Sequence, residues 1–204
     1  MQAKSQNAVY VLKIFIPLLL ICAAVAGIIS GLQVLTRDQI KANEAMVEQK
    51  KEEDKLSAIS AVYGEGVSFA KLDLESVKDK LTAIETSAKA TVDEIRVSDV
   101  GATVTVTVKG YSAGLQVFVA FDDMGDVRRV MVLASNETTG IGSKVSNSAY
   151  LEGYVGQSGD IAFGNGVDKI AGATISSKGV LRAVNTASDV LEVLGIIGEG
   201  GANE

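Results

Sequence analysis

The sequence predicts an α+β protein in which a single N-terminal transmembrane helix precedes a domain with an antiparallel sheet and packed helices. Three observations support this: the run from Ile14 to Leu32 is apolar and carries no charge, residues 102–108 alternate strictly between two residue types, and residues 176–197 repeat apolar positions at spacings of three and four. A period of two is typical of strands, and spacings of three and four are typical of helices. At 204 residues, the chain has room for one ordinary domain and an accessory segment.

Composition excludes several classes of chemistry. The chain has no histidine and a single cysteine, Cys22. It therefore has no Ser-His-Asp or Cys-His nucleophile, no zinc site built on these residues and no internal disulfide. All 25 acidic residues follow residue 36, so the domain is acidic and is not expected to bind nucleic acid. Any reaction of this protein would depend on a bound cofactor.

The apolar run predicts a transmembrane helix over residues 14–35. About 20 helical residues, rising 1.5 Å each, cross the ~30 Å hydrocarbon core of a membrane. A cleaved secretory signal is the alternative, with the small residues Ala24 and Ala26 at its cleavage site. The apolar run continues past that site to Leu35 and exceeds the length of a signal core, so an uncleaved anchor is favoured.

The expected topology is single-pass, in the cell membrane. Lysine and arginine occur on both sides of the run, so their count is weak evidence, and long domains are translocated largely regardless of charge. We expect residues 1–13 in the cytoplasm, residues 36–66 as a stalk helix, and residues 67–198 as an extracytoplasmic domain. The acidic tail, 199–204, is expected to fray. Thr36 is a candidate capping-box residue at the start of the stalk.

Within the domain, each element has its own pattern. A helix is expected near residues 76–88, and residues 102–108 form a half-buried strand with valines on one face and threonines on the other. Residues 115–121 and 127–134 flank a turn rich in Asp and Gly, which predicts a hairpin. The Gly-, Ser- and Asn-rich connection 135–168 is long enough to suggest a functional role.

The strongest candidate site lies just before the last helix. Residues 167–177 bring small residues and hydroxyls to a helix N-terminus, where free backbone N–H groups and the helix dipole favour an anion. Gly172 and Ala173 would allow a phosphate to approach the backbone. On pattern alone, the simpler interpretation is that Thr174 or Ser176 caps the helix.

This segment resembles the flavinylation motif of the FMN-binding domain family, with Asp168, Gly172, Ala173 and Thr174 at the matching positions and Ala171 in place of the usual Ser or Thr. The resemblance implies that Thr174 carries FMN through a phosphoester. It places Ser176 and Ser177 beside the cofactor.

A second segment, from Asn136 to Gly142, resembles the family's His-Glu-Thr-Pro-Gly-Leu-Gly stretch, which lines the flavin. Asn136 replaces the His and Thr139 replaces the Pro. It is not a Walker loop, because Gly-Lys-Ser/Thr is missing. The resemblance implies flavin contacts from Glu137, Thr138, Thr139, Gly140, Ile141 and Gly142. Lys144, Lys169 and Lys178 are candidates to offset the phosphate charge, with Lys144 preferred.

The order of anchor, stalk, Gly-Tyr, hairpin, loop and threonine motif resembles the G subunits of the Rnf electron-transport complexes. This implies a redox subunit of a membrane-bound, ion-translocating ferredoxin:NAD oxidoreductase, with covalent FMN, no metal, no catalytic residues and no complete activity alone. The implied partners are the other membrane and soluble subunits, a flavin transferase and membrane lipid. The alternatives are the C subunit of a sodium-translocating NADH:quinone oxidoreductase, and a membrane-tethered non-redox module in which Thr174 is only a helix cap.

Overall fold

The computed structural model describes residues 2–197, so the predicted tail, 199–204, lies outside the described residues. The chain divides into two compact units, Met1–Lys51 and Glu52–Glu204. The first helix, α1, runs from Gln2 to Tyr63.

The first unit carries the apolar segment of α1. Residues Phe15–Gln33 form a stretch of 19 residues that is long and apolar enough to cross a membrane. The prediction of one apolar N-terminal helix is thus confirmed. The capping box at Thr36 is wrong, because α1 continues through this position and the Thr36 hydroxyl donates to the Leu32 carbonyl at 2.9 Å.

The second unit contains an antiparallel sheet whose strands follow chain order. Among the described residues the sheet has five strands, and each pairs with the next in sequence. They are β1 (Ala70–Lys71), β2 (Ala90–Ser98), β3 (Gly101–Val108), β4 (Leu115–Asp122) and β5 (Val127–Ala134). The predicted hairpin is confirmed as β4 and β5. Its turn is stabilised by the Asp122 carboxylate, which accepts from the N–H groups of Met124 and Asp126.

Three further α-helices lie in the described part of the domain. They are α2 (Lys78–Ala88), the short α3 (Ser148–Leu151) and α4 (Thr174–Leu194). The last helix begins two residues earlier than predicted and ends where Gly195 adopts a positive φ of 67°, a conformation that favours glycine. Its apolar stripe, from Val180 to Leu191, packs in the same core as the valines of β3 and β4.

The sheet is covered on both faces, which corrects the prediction of a half-buried strand. Thr103 and Thr105 of β3 are only 2% and 4% exposed. Ala120 and Phe118 of β4 pair with them and cluster with the last turns of α1. The threonine face of β3 is thus buried as well as the valine face.

A group of charged side chains on the face of the sheet that α1 covers binds the end of α1. The Glu94 carboxylate accepts from Lys55 at 3.1 Å, from Lys71 at 2.8 Å and from the Arg96 Nε at 2.6 Å. Glu52 contacts both Lys55 and Arg96. Burial raises the pKa of Glu94, but the three cationic donors outweigh it and lower the pKa to about 2.

The stability of the domain should therefore fall in acid. Folding lowers the pKa of Glu94 from 4.5 to about 2, so its ionised form contributes fully above the higher value. That contribution is lost as the pH falls through this window. We expect the melting temperature, followed by circular dichroism, to decline between these pH values in the wild type and to decline less in Glu94→Gln. Equal declines would contradict the role of Glu94.

Candidate functional site

The two motifs singled out in the sequence meet at one pocket. Its volume is about 550 Å³, within the range of roughly 300–1,000 Å³ that holds small molecules in proteins. It is lined by Tyr111, Glu137, Thr138, Ile141, Gly142, Gly172, Ala173, Thr174, Ile175 and Ser176. The fold thus brings the loop after β5 against the N-terminus of α4.

The N-terminus of α4 is left open by its own side chains. Ala173 occupies the N-cap position and makes no side-chain capping bond. The Ser176 hydroxyl donates to Glu137 at 2.5 Å. The interpretation that Thr174 or Ser176 caps the helix is therefore wrong, and the N–H groups of the first turn stay available to an anion.

Thr174, the first residue of α4, lines the pocket and is exposed. Within the part of the chain that the structure describes, its side chain has no hydrogen-bond partner. Two residues earlier, Gly172 has a φ of +82°, and apart from its own chain neighbours no described atom lies within 4 Å of the position that a Cβ would take. A phosphate would therefore find an open backbone, free N–H groups and an accessible hydroxyl at one place.

The Glu137 side chain connects the segments that form this pocket through hydrogen bonds. Its side chain is buried, and one carboxylate oxygen accepts from the Ser112 N–H at 3.1 Å while the other accepts from the Ser176 hydroxyl. Two glycines make the space for it: a Cβ at Gly110 would overlap one carboxylate oxygen, and a Cβ at Gly142 would come within 2.6 Å of the other. The carboxylate joins the loop before β4, the loop after β5 and α4.

Filling this space should destabilise the domain. In Gly142→Ala the new methyl group would also lie 2.8 Å from the Glu137 Cβ and 3.0 Å from the Ser176 hydroxyl. Overpacking of this kind costs ~1–3 kcal/mol. In a protein of this size, each kcal/mol of lost stability lowers the melting temperature by ~2–4 °C.

Thr139→Ala is the control in the same loop, because Thr139 is exposed and alanine adds no atoms there. Thermal unfolding followed by circular dichroism should leave this control near the wild type. A Gly142→Ala protein as stable as the control would contradict the close packing around Glu137.

The mouth of the pocket carries large apolar side chains that are exposed. Tyr111, Ile141 and Ile175 are 66%, 52% and 54% exposed, and all three line the pocket. Exposed apolar groups gathered at one pocket are typical of a binding site, and these would suit a flat, apolar ligand surface. Tyr111 and Ile175 were not among the predicted site residues. The available signal was an apolar residue directly after Thr174 that lies off the buried stripe of α4.

Several predicted residues do not line this pocket. Thr139, Gly140, Lys144 and Asp168 are exposed and lie outside its lining. Ser177 is buried beneath it, where its hydroxyl donates to the Ala173 carbonyl and accepts from the Ile170 N–H. Ser177 therefore holds the loop before α4 in place.

The lysines considered as phosphate partners are equally absent from the lining. The Lys169 ammonium lies 5.2 Å from the centre of the Phe163 ring, and Lys178 is exposed on α4. An anion in this pocket would therefore meet backbone N–H groups and hydroxyls, with no lysine or arginine among the described residues of the lining.

Comparison with known proteins agrees with the resemblance to the family. Residues 110–189 match the FMN-binding domain family, which confirms the resemblance over this part of the chain. Two curated proteins, each named as the G subunit of an ion-translocating oxidoreductase complex and found in Pseudomonas aeruginosa strains UCBPP-PA14 and PAO1, are each 35% identical over 89 residues. The match covers 38% of this chain and 42% of each relative.

Among solved structures, the chain is similar to a crystal structure of Shewanella oneidensis NqrC. The sequence identity is 22% and the TM-score is 0.42. The similarity covers 49% of this chain and 58% of that chain.

Proposed function

Since every residue that lines the pocket falls within the 110–189 match to the FMN-binding domain, we propose that this pocket binds FMN and that Thr174 carries it through a phosphoester. The observation that carries the proposal is the exposed Thr174 hydroxyl at an uncapped helix N-terminus.

In this proposal, the residues at the start of α4 bind the phosphate end of FMN. The free N–H groups at the start of α4, with Gly172 and Ala173, receive the phosphate, and the positive end of the helix dipole favours its charge. Thr174 supplies the oxygen of the ester bond. Ser177 fixes the loop that presents these groups, through its bonds to Ala173 and Ile170.

The apolar mouth holds the ring system. Tyr111, Ile141 and Ile175 offer one aromatic and two aliphatic surfaces to a flat heterocycle and keep water from its faces. Thr138 contributes a hydroxyl at the same wall. Four further residues act from outside the lining. Thr139 and Gly140 shape the loop after β5, and Lys144 and Asp168 each place a charge near the pocket. The flavin itself supplies the one- and two-electron chemistry that this chain's side chains lack.

At the level of the assembly, we propose an electron-transfer subunit of an ion-translocating oxidoreductase complex of the Rnf type. Support comes from the similarity to proteins named as G subunits of such complexes and from the apolar segment Phe15–Gln33. In this proposal residues 14–35 anchor the chain in the cell membrane, and residues 36–66 lead to an extracytoplasmic domain over 67–198. The other subunits exchange electrons with it, a flavin transferase attaches the FMN, and the chain has no complete activity alone.

The test is the mass of the denatured full-length protein, prepared together with an active flavin transferase. We expect an increment of one FMN less one water and yellow fluorescence that persists in a denaturing gel. A protein at its bare-chain mass without fluorescence, although the transferase modifies a known substrate in the same cells, would overturn the proposal. If the native protein also shows no flavin absorbance, a membrane-tethered, non-redox module is favoured.

A further inference from the structure

Glu137 is a buried negative charge at the wall of the pocket that only neutral groups balance. Its side chain is 8% exposed, and its two hydrogen bonds come from the Ser112 N–H and the Ser176 hydroxyl. Among the residues that the structure describes, it forms no ion pair with any lysine or arginine. Glu94, the other buried glutamate, has three cationic partners.

This difference in partners determines how far the electric field of each carboxylate extends. Where a cation lies against a carboxylate, the two fields largely cancel a short distance away. Neutral donors stabilise a carboxylate without removing its net charge, and burial keeps solvent from screening it. The field of Glu137 therefore extends into the pocket that it lines.

Two features of the structure accommodate this carboxylate: small residues beside it, and a helix N-terminus left without a side-chain cap. Gly110 and Gly142 leave space that any larger residue would take from it, and Ser176 donates to it instead of capping α4. Holding the three segments together would need hydrogen bonds, but it would not need a net charge, since a neutral amide could accept from Ser112 and donate to Ser176.

We propose that Glu137 sets the reduction potential of the bound flavin, and holds it lower than a neutral residue at this position would. The inference rests on the proposed binding of FMN in this pocket. Adding electrons brings negative charge into the pocket, and a fixed negative charge at its wall opposes that addition. Glu137 thereby makes the reduced cofactor a stronger electron donor.

The deciding variant is Glu137→Gln, which has nearly the same shape and can keep both hydrogen bonds while losing the charge. The full-length, flavin-loaded protein would be titrated in detergent with redox mediators, and flavin absorbance would report the fraction reduced. At a fixed solution potential we expect the ratio of reduced to oxidised flavin to rise about tenfold, which is ~30 mV for a two-electron couple.

Two further variants separate charge from structure. Ser176→Ala removes one of the donors that offset the charge of the carboxylate. Measured at a pH well above the range in which glutamates ordinarily titrate, so that the carboxylate stays ionised, the same ratio should fall below that of the wild type. Glu192→Gln removes an exposed carboxylate on α4, about 24 Å along the helix from Ser176 at 1.5 Å per residue. It should leave the ratio unchanged.

The outcomes distinguish this inference from the proposal beneath it. A wild type that carries no flavin would overturn both. Flavin present at equal potential in the wild type and Glu137→Gln would overturn the inference alone, as would a Glu137→Gln protein that melts like the wild type but holds no flavin. If Glu137→Gln does not fold, Ser176→Ala decides, and a ratio at or above that of the wild type would overturn the inference.

Discussion

Replacing Thr174 with alanine is expected to remove the proposed covalent flavin completely while leaving the fold intact. The side chain is exposed, lies in the first turn of α4 and has no hydrogen-bond partner in the described part of the chain. Alanine is also the residue most favourable to a helix. The variant therefore loses the ester oxygen and little else, and its denatured form should have the bare-chain mass and no fluorescence.

Two substitutions serve as controls for this result. Thr174→Ser keeps a hydroxyl at the same position and should retain some flavin. Thr138→Ala removes the other threonine of the pocket lining and should still carry the full mass increment. A Thr174→Ala protein that keeps the increment would show that the flavin is attached elsewhere, and would refute the proposed ester.

Replacing Glu94 with alanine is expected to cause the largest loss of stability among the changes considered. Of the ion pairs seen among the described residues, it leaves the buried Lys55 and Arg96 those with Glu52. Breaking a buried ion pair by removing one partner costs ~3–5 kcal/mol. Because Glu52 remains, we expect a value near the lower end, about 3 kcal/mol, at neutral pH.

The comparison for this variant is Glu75→Ala. Glu75 pairs with Lys78 at 3.0 Å, and both side chains are exposed, so the loss should be below ~1 kcal/mol. Denaturant titration of the full-length protein in detergent, followed by circular dichroism, measures both. Equal free energies of unfolding for the two variants would contradict a structural role for the charged group around Glu94.

Elements with a local signature were predicted from the sequence. The apolar run before Arg37, the β4–β5 hairpin and the helix after Thr174 each carry a period or a turn that neighbouring residues express by themselves. The candidate site could also be predicted, because each of its two motifs is one continuous segment of the sequence. Their meeting at one pocket was implied only by the resemblance to a family.

Contacts between distant segments escaped the sequence patterns. In the sequence, the alternating threonines of β3 have the pattern of a face exposed to solvent. The alternation does not reveal that the last turns of α1 cover this face. Capping by Thr174 or Ser176 is the simpler interpretation of the sequence alone, because the partner of Ser176, Glu137, lies 39 residues away.

The sequence by itself therefore determined the elements and the residue chemistry at α4, because periodicity, turns and motifs depend on residues close together in the chain. Only the tertiary structure decided which groups remain free and which are used. It left the Thr174 hydroxyl without a partner among the described residues, turned Ser176 toward Glu137 and brought Tyr111 to the mouth of the pocket. The physical reason is that hydrogen bonding and burial depend on distance in space, which folding sets.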